Sequence, residues 1–105
     1  MLNDVVRIIA VSTIKTFWDR HPDAKISLER WVQAMRDGHW QTTGDVQLSF
    51  SKARVLNGER VRFEVAGGDY RLIASFKFKN QLVFVKFVGT HADYDRIDAL
   101  TVSQF

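Results

Sequence analysis

Arg62, Arg71 and Lys86 stand within three successive runs of alternating residue type, RVRFEV, YRLIAS and LVFVKFV. If these runs are neighbouring antiparallel strands, the three cations point to one face, with Glu64 as the nearby anion. Like charges on adjacent strands cost energy. A bound phosphate relieves that cost through charge-assisted, bidentate contacts. The plainer reading is a solvated sheet face, on which Arg, Lys and Glu are ordinary. Just past the third run comes GTHADYD, Gly89 to Asp95. His91 is a residue type that exchanges protons near neutral pH. Tyr94, three residues on, returns to the same side of a helical turn. Taken alone, His91 reads as a surface residue capping that turn and Tyr94 as a core residue at a helix–sheet junction. Glu64, facing Arg71, is an ion-pair partner or a proton acceptor, and the ion pair is the preferred assignment.

Other chemistries find no support. The chain has no cysteine, which excludes disulfides, thiolate metal sites and a cysteine nucleophile. No His, Asp or Glu spacing suggests a metal site, and no glycine loop suits a phosphate cradle. The serines lack the context of a nucleophile elbow. His21 and His39 flank helix ends and read as structural. Trp18, Trp31 and Trp40 are assigned to the core, with Trp40 open to partial exposure.

The elements that position these residues follow from turns and periodicity. Gly67-Gly68 and Lys79-Asn80 mark two tight turns within Arg60–Tyr94. The first pairs Val65 with Tyr70, Glu64 with Arg71, Phe63 with Leu72 and Arg62 with Ile73. The second pairs Ala74 with Val85, Ile73 with Lys86 and Leu72 with Phe87. A core face then collects Val61, Phe63, Val65, Tyr70, Leu72, Ala74, Phe76, Val83, Val85 and Phe87. The other face collects Arg62, Glu64, Arg71, Ile73, Phe84, Lys86 and Val88. Upstream, Val5–Ala10 reads as a strand, and Ser12 or Thr13 as the cap of a helix with Ile14, Phe17 and Trp18 in one stripe. His21-Pro22 ends that helix. A second helix spans about Asp23–Asp37, with Leu28, Trp31, Val32 and Met35 inward and Gly38 as its stop. Thr43 caps a short helix carrying Val46 and Phe50. Lys52–Leu56 is an edge strand, and Asn57-Gly58 turns it into the Arg60 strand. The result is one α+β domain over residues 1–105. It has two layers, an antiparallel sheet with a helix hairpin packed on one face.

The 105-residue length suits one domain. The formal charge of +3 and pI near 9.5 are compatible with an anionic partner. The N-terminus lacks the basic region and cleavage site of a signal peptide, and no run reaches membrane-spanning length, so a cytoplasmic protein is expected.

HPDA, NGERVRFEVAGGDYRLI and FVKFVGTHADYDRID resemble the HigB-type toxins of bacterial toxin–antitoxin pairs, within the RelE superfamily. The resemblance covers nearly the whole chain, and its sheet motifs are more specific than its helical half. It implies a RelE-like, microbial-RNase-like fold. It implies an endoribonuclease that cuts messenger RNA in the ribosomal A site, inhibits translation and needs no metal. It also implies neutralisation by a HigA-like helix-turn-helix antitoxin. Carried over by motif, the site residues are Arg62, Arg71, Lys86, His91 and Tyr94. In such a mechanism Arg71 and Arg62 stabilise charge, His91 is the general acid, Lys86 or Glu64 takes the proton, and Tyr94 orients or stacks on the substrate. Lys52, Arg54, Arg60, Lys77 and Lys79 supply RNA-backbone contacts. The alternatives are a ParE-like toxin that binds without cleaving, or a basic module for an acidic protein.

Overall fold

A computed structural model describes residues 6–105 of the protein. The chain runs β1 (Arg7–Ile9), α1 (Val11–Arg20), α2 (Lys25–Asp37), α3 (Thr43–Ser49), β2 (Arg54–Val55), β3 (Arg60–Val65), β4 (Tyr70–Lys77), β5 (Leu82–Thr90) and α4 (His91–Tyr94). The sheet order is β1-β5-β4-β3-β2. β1 pairs parallel with β5, Ile8 lying beside Val83, so the sheet is mixed rather than wholly antiparallel. Val5 of the expected first strand lies outside the described residues.

α1 and α2 pack on one face. Ile14 of α1 is buried, and Phe17 and Trp18 lie against the core. Leu28, Trp31, Val32 and Met35 of α2 are all buried, as their spacing predicts. Complete burial of a side chain such as Leu28 or Met35 contributes about 1.5–3 kcal/mol. His21 and Pro22 separate the helices. Pro22 opens a 3₁₀ turn, Pro22–Ala24, so α2 proper begins at Lys25 rather than Asp23.

Neither Ser12 nor Thr13 caps α1. Its N-cap is Ala10, and the Thr13 hydroxyl donates back to the Ala10 carbonyl at 2.7 Å. For α3 the cap is Thr42, one residue before the expected Thr43. Thr42 accepts from the Asp45 amide, and Asp45 accepts from the Thr42 amide. Gly38 does stop α2, but with φ −85° it needs no left-handed freedom. A Cβ there would overlap the ring of Trp40. Trp40 is fully in the core, its indole N–H donating to the Met35 carbonyl at 3.0 Å.

The hairpins decide which side chains face out. β3 and β4 pair in the expected register, including Glu64 with Arg71 and Arg62 with Ile73. β4 and β5 start as expected, with Ala74 opposite Val85. A bulge between Ile73 and Ala74 then puts Ile73 opposite Phe87 and Leu72 opposite Val88. The extra residue is Lys86. A bulge is one unpaired residue, and it exchanges the faces beyond it. Phe87, assigned to the core face, turns to the other face, where it is still buried at 2% exposure beside Ile73. Val88, assigned to the open face, turns towards Thr13 and Phe17 of α1. The edge strand is shorter than Lys52–Leu56: only Arg54 and Val55 pair, with Arg62 and Val61. Asn57 shapes the following turn by accepting from the Glu59 and Arg60 amides, both at 2.8 Å.

Candidate functional site

The open face is built in rows across the strands. One row is Glu64–Arg71–Gly89, and the next is Arg54–Arg62–Ile73–Phe87. Strands lie about 4.8 Å apart, so Arg62 and Arg71 rise close together with Glu64 beside both. Glu64 Oε2 lies 3.4 Å from Arg71 Nη1 and 3.5 Å from Arg62 Nη2. The preferred ion pair is therefore present, and one carboxylate oxygen holds two guanidiniums.

That carboxylate does not use up the cations. Arg62 Nε and Arg71 Nε are buried without a hydrogen-bond acceptor, and Arg71 Nη1 has only its 3.4 Å ion-pair contact with Glu64. Their side chains are only 15% and 12% exposed. Native structures rarely leave buried donors unpaired, because the desolvation is not returned. Two guanidiniums with spare donors on a sheet face make an anion-binding arrangement.

The far wall comes from the bulge and α4. Phe87 meets Tyr94 edge-on, with ring centroids 6.1 Å apart, and the Arg71 guanidinium lies 5.9 Å from the Tyr94 ring centre. Gly89 leaves room for this. A Cβ there would stand 2.7 Å from Phe87 Cζ and 3.2 Å from Asp93 Cβ. Thr90 caps α4: its hydroxyl accepts from the Asp93 amide, and the Asp93 carboxylate accepts from the Thr90 amide. The cap fixes where His91 and Tyr94 emerge. The His91 amide donates to the Asp69 carbonyl at 3.2 Å, which places His91 at the mouth of the β3–β4 hairpin. His91 is 54% exposed, and its Nδ1 lies 3.3 Å from Asp95 Oδ2, which orients the ring.

Lys86 is not brought into this cluster. As the bulge residue it reaches along β5 to Phe84, with Nζ 5.5 Å from the ring centre. Phe84 belongs to the row of Ser75 and Arg60, away from Arg71. Arg60 is engaged elsewhere. Its Nη1 donates to the Ala99 and Val102 carbonyls at 3.1 and 2.8 Å, fastening the chain after α4 onto the open face. Lys52, Arg54, Lys77 and Lys79 are exposed. Arg54 adjoins the cluster, opposite Arg62, and Lys52 shares a surface groove with Glu64. Lys77 ends β4, about 20 Å along the strand from Arg71 at 3.4 Å per residue.

Sequence reasoning missed Phe87 and Asp95. The i, i+4 spacing of His91 and Asp95 was a usable signal for the latter. For Phe87 the nearest signal was a glycine two residues downstream. Behind the site, Tyr70 donates to Asp23 Oδ1 at 2.7 Å, and His21 stacks on Phe17 at 4.3 Å. That bond to Asp23, with burial and the charges of Asp23 and Asp69, pushes the Tyr70 phenol above its ordinary 10.0.

Among the described residues, no group of three or more His, Cys, Asp or Glu is placed to hold a metal ion. No described helix is long and apolar enough to cross a membrane. A family model described as the HigB toxin, a RelE-like toxic component of a toxin–antitoxin system, matches residues 24–97. A search of curated proteins gives no match.

Proposed function

This chain belongs to the HigB family of RelE-like toxic components of toxin–antitoxin systems, and on that premise we propose that it is a metal-independent endoribonuclease acting on messenger RNA at the ribosomal A site in the cytoplasm. The observation that carries the reading is the set of buried, acceptor-free donors on Arg62 and Arg71, with His91 held at the hairpin mouth by the Asp69 carbonyl and oriented by Asp95. A toxin of such a pair implies an antitoxin. In our reading this is a HigA-like helix-turn-helix protein.

RNA carries its own nucleophile, the 2′-hydroxyl, which DNA lacks. In the proposed step the 2′ oxygen bonds to the adjacent phosphorus while the bond from phosphorus to the 5′ oxygen breaks. The products are a 2′,3′-cyclic phosphate and a 5′-hydroxyl. Glu64 accepts the 2′ proton at Oε1, since Oε2 holds the arginines. Arg71 and Arg62 stabilise the charge that develops on the phosphoryl oxygens. Protonated His91 gives its proton to the leaving oxygen. Tyr94, already against Arg71, orients the substrate or stacks on a base. Arg54 extends the cationic row, and Lys86, Lys52, Lys77 and Lys79 meet the RNA backbone further out.

The test is cleavage of ribosome-bound message by wild type, Arg71→Ala and His91→Ala, with mapping of the product ends. Loss of one preorganised donor lowers the rate about 100- to 1000-fold, so Arg71→Ala falls in that range. Full activity in both variants with an unchanged fold overturns the site. Growth arrest with intact message and a blocked topoisomerase assigns a ParE-like binding role instead.

A further inference from the structure

The chain after α4, beyond residue 97 where the family match stops, is anchored at two places. The first is Arg60, which holds the Ala99 and Val102 carbonyls. The turn between them is closed by the Asp98 carbonyl, which accepts from the Thr101 and Val102 amides. The second anchor is on β5. β1 pairs with β5 only over Leu82–Phe84, and further along the strand Gln104 takes over. Its backbone amide donates to the Lys86 carbonyl at 2.8 Å, and its side-chain Oε1 accepts from the Val88 amide at 3.0 Å. One residue thus grips the backbone on both sides of Phe87, at the bulge. From one anchor to the other the chain crosses the face that carries Ile73 and Phe87. These are 0% and 2% exposed, although α1 and α2 lie on the opposite face.

We propose that Gln104 is a positioning residue for the Arg71–Tyr94 side of the site. A bulge is one unpaired residue, and a slip by one place exchanges the faces of its neighbours. Gln104 bonds one carbonyl and one amide two residues apart, and a slip would turn both groups away from it. The grip therefore keeps Phe87 on the open face. Phe87 holds the Tyr94 ring edge-on, and Tyr94 lies against the Arg71 guanidinium. With Phe87 released, Tyr94 gains a second position and Arg71 further rotamers. The Arg71 donors then no longer wait where phosphoryl charge develops. The side chain acts through its acceptor alone, since the donor at this position is a backbone amide. The step that Gln104 assists rests on the endoribonuclease reading, whereas the clamp itself does not.

The experiment compares the full-length wild type with Gln104→Met, which keeps the length of the side chain and loses the acceptor, and Gln104→Glu, which keeps the acceptor. Backbone amide exchange, the NMR contact between the Phe87 and Tyr94 rings, and kcat and KM on ribosome-bound message are measured on each. In Gln104→Met the Val88 amide exchanges about tenfold faster, while the core amides of Val61 and Leu72 keep their rates. The contact between the rings weakens, kcat falls about ten- to hundredfold, and KM holds. Gln104→Glu restores all three. A faster Val88 amide with an unchanged kcat overturns the proposal, as does an equal loss of activity in both variants. Core amides that speed up as much as Val88 also overturn it, making Gln104 a residue of general stability. If wild type cleaves no RNA, but Gln104→Met weakens the ring contact and Gln104→Glu restores it, the clamp stands and the endonuclease reading falls.

Discussion

Glu64 shows how one side chain serves two ends. Its carboxylate keeps two arginines side by side on adjacent strands, where their mutual repulsion would otherwise spread them. Its backbone groups lie in the plane of the sheet, on the β2 side of β3. Tyr70 plays a quieter part, tying the start of β4 to the turn between α1 and α2 through Asp23. Its phenol is held above 10.0, with the hydrogen bond to Asp23 the largest cause. The folded value exceeds the unfolded one, so the stability this bond contributes is fully present below about pH 10. It is lost as pH rises through the folded value. Alkaline titration followed by tyrosinate absorbance is expected to show a late tyrosine in the folded protein. Tyr70→Phe removes it.

Elements, rather than single residues, bring the site together, and the bulge in β5 and the four-residue helix α4 are decisive. Thr90→Ala removes the cap of α4 and costs about 1 kcal/mol. Because that cap aims His91 and Tyr94, the proposed RNA cleavage is expected to fall further than a change of that size in stability explains. Denaturation and kinetics on one sample compare the two. Gly38→Ala is expected to cost about 1–3 kcal/mol by forcing the Trp40 ring aside, although its φ suits alanine. Denaturant melts with Trp fluorescence measure it. The first hairpin was legible because Gly67 and Gly68 take positive φ at a fixed place and everything upstream follows from period two. The second was legible only up to Ala74. Nothing in VFVKFVG marks an extra residue, since a bulge answers to the bend of the sheet and the ring of Phe87 under Gly89, not to local sequence. That is why Arg62, Arg71 and Glu64 were placed correctly together and Lys86 was not. Capping positions slipped by a residue for a similar reason: Thr42 and Thr43 are equivalent in type, and only packing chooses which is buried.

For the whole molecule, charge is unevenly employed. Arg60 is taken up by the returning chain, whereas Lys52 and Arg54 are exposed near the cluster. If the protein binds RNA as proposed, the salt dependence of that binding is expected to separate them. Lys52→Ala and Arg54→Ala each lower the slope of log K against log salt by about 1. Arg60→Ala leaves the slope unchanged and instead lowers stability by about 1–3 kcal/mol, seen in denaturation and in faster exchange at Val102. The parallel edge formed by β1 and β5 carries a consequence for biosynthesis. Ile8 finds its neighbour only when Val83 has been made, so the polypeptide cannot seal its first edge before β5 emerges. Arg62 and Arg71 are likewise joined by α4 only after its residues leave the exit tunnel. A nascent chain that stops short of β5 and α4 therefore lacks both the parallel edge and the wall that carries His91 and Tyr94.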